Sequence, residues 1–97
     1  MKVRHADDQL SKLEFGEGGD GGFAPGVVKA FRKRMQQIRA AVDERAFYAL
    51  ASLHYEKLQG QPGQHSMRLN DQWRLIIEYE GSGKDKVAVI VAIKDYH

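Results

Sequence analysis

Apolar residues recur at helical spacing in the first half of the chain and at strand spacing in the second. Met1 to Arg4 predicts a short opening strand. Asp7 or Asp8 offers an N-cap, and Leu10, Leu13 and Phe15 predict a short helix behind it. Glu17 to Gly22 carries four glycines and predicts a flexible loop. Pro25 suits the first position of the next helix. From Gly26 to Ala41 that helix repeats Val27, Phe31, Met35 and Ile38, with Lys29, Arg32, Lys33, Arg34 and Arg39 on its outer face. Asp43 can cap a further helix through Phe47, Leu50 and Leu53, which with its predecessor predicts a helical hairpin.

Beyond residue 54 the period shortens. His54 to Leu58 predicts a strand, and Gln59-Gly60-Gln61-Pro62-Gly63 is turn chemistry. His65 to Asn70 alternates, and so does the next strand, where Trp73, Leu75, Ile77 and Tyr79 share a face opposite Arg74 and Ile76. Gly81-Ser82-Gly83 marks a hairpin loop. Val87 to Ile93 is apolar on both faces, as a central strand covered on both sides would be. The order is strand, helices, then a run of strands. It predicts a single α+β domain over 1–97, with the N-terminal helical hairpin packed on one face of a mostly antiparallel sheet.

This pattern has a chemical consequence. Met67, Leu69, Leu75 and Ile77 are expected to face the helices, which sends Arg68 and Arg74 to the open side of the sheet. Two cations on adjacent strands can hold phosphate oxygens. They can equally pair with neighbours such as Glu78 or Glu80. The long apolar strand then runs into Lys94-Asp95-Tyr96-His97. Those last three residues titrate or hydrogen-bond, and a central strand anchors them. A polar tail that merely solubilises the strand fits the same residues.

Composition narrows the classes. Ninety-seven residues suffice for one core, and the absence of cysteine removes disulfide frameworks and thiolate metal sites. No apolar run reaches the ~20 residues of a membrane span, and no apolar stretch follows Met1-Lys2-Val3-Arg4 as a signal peptide requires. A soluble cytoplasmic protein is expected. Net charge is +2 but uneven: residues 1–24 carry three bases against five acids, and the remainder 12 bases against 8 acids. A basic body suits a polyanion such as RNA, or is simply a solvated surface. His5, His54, His65 and His97 lack metal-ligand spacing, so neither a metal nor another cofactor is expected. His65 shares the parity of Met67 and Leu69, which predicts burial or a sheet-edge place. The glycine cluster lacks the lysine and Ser/Thr of a phosphate loop.

Three segments carry a resemblance. Gly63-Gln64-His65-Ser66-Met67-Arg68-Leu69-Asn70-Asp71-Gln72-Trp73-Arg74, the ending Asp95-Tyr96-His97, and Leu58-Gln59-Gly60 before the turn resemble HigB-type "killer" toxins of the RelE/ParE superfamily. The likeness in character covers nearly the whole chain. It implies a RelE/ParE-like fold and a type II toxin that enters the ribosomal A site and cuts mRNA there. The 2′-OH would attack the adjacent phosphorus, with a base, an acid and cations assisting and no metal required. Such acid–base help contributes about 10²- to 10⁴-fold.

By the same resemblance, Asp95, Tyr96 and His97 match the family's catalytic terminus and Arg74 its sheet arginine. Arg68 joins them through its predicted place on the open face, at a position where relatives vary. His97 would be the general acid or a phosphate ligand, favoured as imidazolium by its own α-carboxylate. Asp95 would orient or accept a proton, and Tyr96 would stack or donate. Some relatives place a His where this chain has Glu56; His54, two residues earlier, would face the same way in a regular strand, with Lys57 as a further cation. The general base therefore stays open among these. The family's turn lysine is Gln59 here, which removes one phosphate contact. Lys29, Arg32, Lys33 and Arg34 would meet rRNA. The implied partners are the ribosome with its mRNA and a HigA-like helix-turn-helix antitoxin that carries the toxin to operator DNA. A ParE-like gyrase poison on the same fold and a non-catalytic partner-binding module are the alternatives.

Overall fold

The computed structural model describes residues 1–96. Its strands are β1 (Lys2–His5), β2 (Glu56–Lys57), β3 (His65–Arg68), β4 (Trp73–Glu80) and β5 (Val87–Asp95). Its helices are α1 (Asp8–Phe15), α2 (Pro25–Ala40) and the single turn α3 (Arg45–Tyr48), followed by a 3₁₀ turn over Ala51–Leu53. The sheet order is β1-β5-β4-β3-β2, antiparallel throughout except that β1 runs parallel to β5. This is the α+β arrangement that the alternation predicted.

Local chemistry sets the helix ends. The Asp7 carboxylate accepts the Gln9 N–H and caps α1. Gly16 closes it in the left-handed region (φ 75°), where its N–H reaches the Lys12 carbonyl. Pro25 opens α2, and Val27, Val28, Phe31, Met35 and Ile38 form its buried stripe.

The predicted helix through Phe47, Leu50 and Leu53 does not form as one piece. A continuous helix would set Phe47 and Leu53 about 120° apart. Breaking it at Leu50, which is extended (φ −101°, ψ 95°), lets both side chains enter the core. The helices that pair over the sheet are therefore α1 and α2, not α2 and its successor. The predicted strand 54–58 likewise shrinks to β2, because His54 ends the 3₁₀ turn in the left-handed region (φ 45°).

Register then assigns the faces. Met67 pairs with Leu75, and Leu75 with Ile93; His65 pairs with Ile77, and Ile77 with Ile90. Met67, Leu75, Ile77 and Ile90 meet Leu13, Val28, Phe31, Met35 and Phe47 in one core, with Ile93 packed against it. Between Ile76 and Ile77 the β4–β5 register shifts: Ile76 pairs with Ala92 and Ile77 with Ile90. Val91 is thus an extra residue, a bulge that reverses the alternation of β5 beyond it.

Two polar clusters edge the core. Glu14 is held by Arg39 (2.8 Å) and by His5 (2.8 Å), tying α1 to α2 and β1. Burial pushes its carboxyl up, but Arg39 and His5 together hold it below the ordinary carboxylate value. On the other flank His65 stacks flat on Tyr55 (5.4 Å) and meets Tyr79 edge-on (5.5 Å). The two tyrosine hydroxyls lie 2.6 Å apart, and burial first of all pushes Tyr79 up to about 12.

Burial, with Lys57 nearby, holds His65 below its ordinary value of 6.5. The unfolded chain therefore binds a proton there before the folded chain does, so the neutral imidazole loses stability as pH falls through 6.5. Thermal melts between pH 7.5 and 5 are expected to show a falling midpoint, with a shallower fall in His65→Phe. Equal slopes in the two proteins would contradict this account.

Candidate functional site

On the sheet face away from the helices, Arg68 of β3 pairs in register with Arg74 of β4. Arg74 pairs in turn with Lys94 of β5. Opposed residues in an antiparallel ladder point to one face, with Cβ atoms about 4.5–5.5 Å apart. Three cations thus cross three strands in a row. Along β4 the same face continues through Ile76 to Glu78 and Glu80, so the charge changes sign from one end of the strand to the other.

Arg74 is the best-held member. Its side chain is only 14% exposed. Its Nε donates to the Ser66 hydroxyl (2.9 Å), Ser66 being the fully buried polar side chain beneath it. One terminal nitrogen donates to the His54 carbonyl and lies 3.7 Å from Glu56. The Tyr96 ring covers the guanidinium at 5.8 Å. Arg68 donates to Asp71, and its carbonyl accepts from Arg34 Nε (2.9 Å). The ion-pair alternative open at the sequence level is therefore met by Glu56 and Asp71. Glu78 is taken by Gln64 (2.8 Å) and Glu80 by Arg4 (2.9 Å). Lys94 is exposed and has no side-chain partner among the described residues.

The chain end is fastened to the β3–β4 turn. Asn70 shapes that turn by accepting the N–H groups of Gln72 (2.9 Å) and Trp73 (2.8 Å). Gln72 then holds the end twice: its amide donates to Asp95 (2.9 Å), and its carbonyl accepts the Tyr96 N–H (2.8 Å). Tyr96 lies against Arg74, whereas Asp95 pairs with Trp73, on the helix-covered side. Of the terminal residues described, Tyr96 lies beside the arginine pair and Asp95 takes the opposite parity. His97 lies outside the described residues.

The other expected residues separate. Glu56 pairs with Ser66 and so belongs to the arginine face, whereas Lys57 pairs with His65 and takes the opposite parity. His54 is not in a strand, and its contact with Arg74 is made by its backbone carbonyl. The outer face of α2 is also less uniform than its spacing predicted. Arg32 donates to the Leu13 carbonyl (3.0 Å), and Arg34 turns to β3. Lys29 and Lys33 remain exposed.

The sequence pattern assigns no role to Lys94, Ser66, Asn70 or Gln72, yet they line or hold this site. Ser66 had a signal, since it shares the parity of Arg68 two residues on. Lys94 had none, because the Val91 bulge decides its face. Chemically, the row can hold anionic oxygens from one side, with an aromatic ring beside them.

No family model matches the chain, and no curated protein matches it by sequence. Among solved structures it is similar to a YoeB/ParE toxin from Agrobacterium tumefaciens, at a TM-score of 0.65 and 16% identity, with 100% of each chain covered. At that identity the likeness shows the fold alone, and the fold is the RelE/ParE-like α+β arrangement.

Because Gln72 is exposed, Gln72→Ala is expected to cost the fold no more than about 1 kcal/mol, while loosening the chain end. Amide relaxation should show lower order parameters at Asp95 and Tyr96 with the rest of β5 unchanged. Unchanged values at those two amides would mean that the side chain holds nothing.

Proposed function

We propose that this chain is the toxin of a type II toxin–antitoxin pair and acts as an endoribonuclease that cuts ribosome-bound mRNA, halting translation. The observation that carries this reading is the in-register pair Arg68–Arg74 on the open face, with Tyr96 stacked on Arg74. Arg74 and Tyr96 stand where the resemblance to HigB-type toxins implies catalysis. The fold shared with the YoeB/ParE toxin supports the same class.

In this reading Arg74, oriented by Ser66 and the His54 carbonyl, holds the non-bridging oxygens of the scissile phosphate, and Arg68 holds them from the adjacent strand. Fixed donors of this kind act where charge develops in the transition state. The 2′-oxygen attacks phosphorus, its proton passes to a base, and the 5′-oxygen leaves with a proton from an acid. Of His54, Glu56 and Lys57, Glu56 offers a carboxylate on the arginine face, and we assign it the base. His97 is assigned the acid and Tyr96 the stacking contact to a base. Asp95 acts indirectly, by tying the strand end to Gln72.

The ribosome and its mRNA are then the working partners, which implies action in the cytoplasm. Lys29 and Lys33 are the exposed contacts for rRNA, with Arg32 and Arg34 bracing the same helix. A HigA-like helix-turn-helix antitoxin would restrain the toxin and link it to operator DNA. Among the described residues no helix is long and apolar enough to cross a membrane.

Primer extension on mRNA after induction tests the proposal. The wild type is expected to produce cuts that depend on ribosomes. Arg74→Ala and removal of His97 should each lower cleavage by about 10²-fold or more, with antitoxin binding retained. Intact mRNA together with gyrase–DNA cleavage complexes would replace this reading with a gyrase poison. Absence of any growth arrest would favour a partner-binding module.

A further inference from the structure

We infer that Lys94 is a third phosphate-binding residue, and that the row Arg68–Arg74–Lys94 is a track for the backbone of single-stranded RNA rather than a clamp for one phosphate. The inference rests on the nuclease reading and extends it to a residue outside the motifs that suggested it.

Three observations carry it. First, register places Lys94 directly beside Arg74 and Arg74 directly beside Arg68. With strands about 4.8 Å apart, the row spans about 10 Å, longer than a single phosphate. Second, like charges directly opposed on neighbouring strands are destabilising, so setting the three cations side by side does not itself stabilise the sheet. Third, the row is only partly neutralised. Arg68 has Asp71 and Arg74 has Glu56, but Lys94 has no carboxylate partner among the described residues. Its exposed ammonium is the cation that an incoming phosphate can reach without displacing a carboxylate.

The Val91 bulge makes this arrangement. Without the extra residue, continuous alternation from Ile90 would turn Lys94 toward the helix-covered face and Asp95 toward the open one. With it, Lys94 and Tyr96 flank Arg74 on the open face. An RNA strand laid across the row would therefore meet cations for successive phosphates and, at the Tyr96 ring, a platform on which one base stacks. Placing the strand this way positions the phosphate that lies over Arg74.

The test uses the full chain and a short fluorescein-labelled oligoribonucleotide, 2′-O-methylated so that it cannot be cut. Binding is followed by anisotropy over a range of salt. Each phosphate neutralised on a single strand contributes about 0.7 to the slope of log K against log salt, so Lys94→Ala is expected to flatten the slope by about that amount. Lys94→Arg should keep the wild-type slope, and so should Lys84→Ala in the distant β4–β5 loop. A wild-type slope in Lys94→Ala, or no binding by the wild type at low salt, overturns the inference. Ribosome-dependent cleavage is scored in parallel. Cleavage with an unchanged Lys94→Ala slope removes Lys94 and leaves the nuclease; a flattened slope without cleavage leaves the RNA track and removes the nuclease.

Discussion

The constraint on which this molecule depends is the register of β4 between its two neighbours. The side-chain period of a strand is two, so a slip of one residue would exchange its faces. In the observed register Leu75 and Ile77 enter the core under α1 and α2, and Arg74 stands outside between Arg68 and Lys94. Core and site are two faces of one pairing. The fully buried Met67, Leu75, Ile77 and Ile90 hold the register, since any slip would expose them. The basic row follows from that requirement and is itself opposed by charge repulsion.

The site is braced by its own backbone. The His54 carbonyl meets Arg74 because His54 adopts the left-handed region, the sole non-glycine residue to do so among those described. Such a conformation costs on the order of 1–3 kcal/mol and persists where surrounding contacts over-determine it. Here Leu53 and Tyr55, on either side, are both buried, so the chain must turn sharply between them. The same turn delivers Glu56 to the arginine face. Asn70 and Gln72 do similar work at the opposite end, where two side-chain amides shape a turn and tie the terminus to it.

The helices serve this arrangement from behind. Arg34 crosses from α2 to the Arg68 carbonyl, linking the helical layer to the strand that carries half of the arginine pair. Its burial, with the Arg68 charge close by, holds its pKa below the ordinary guanidinium value. The basic face of α2 is thereby divided between side chains that fasten the fold and side chains that remain exposed, a division that spacing along a helix does not contain.

By itself the sequence determined the elements and the core face, because periodicity is a local property written in every few residues. Phe31, Met35 and Ile38 announce a helix, Met67 and Leu69 a strand, and Arg68 and Arg74 their shared outward parity. The sequence did not determine where the helix after Asp43 breaks, since that depends on what Phe47 and Leu53 must reach. Nor did it determine the Asp95-Tyr96 side of the site. Val87 to Ile93 is apolar at every position, so nothing in its pattern marks Val91 as the residue left out of the ladder. Only pairing with β4 decides that. One unpaired residue sets Lys94 and Tyr96 beside Arg74 and sends Asp95 to the other face, because alternation restarts after a bulge.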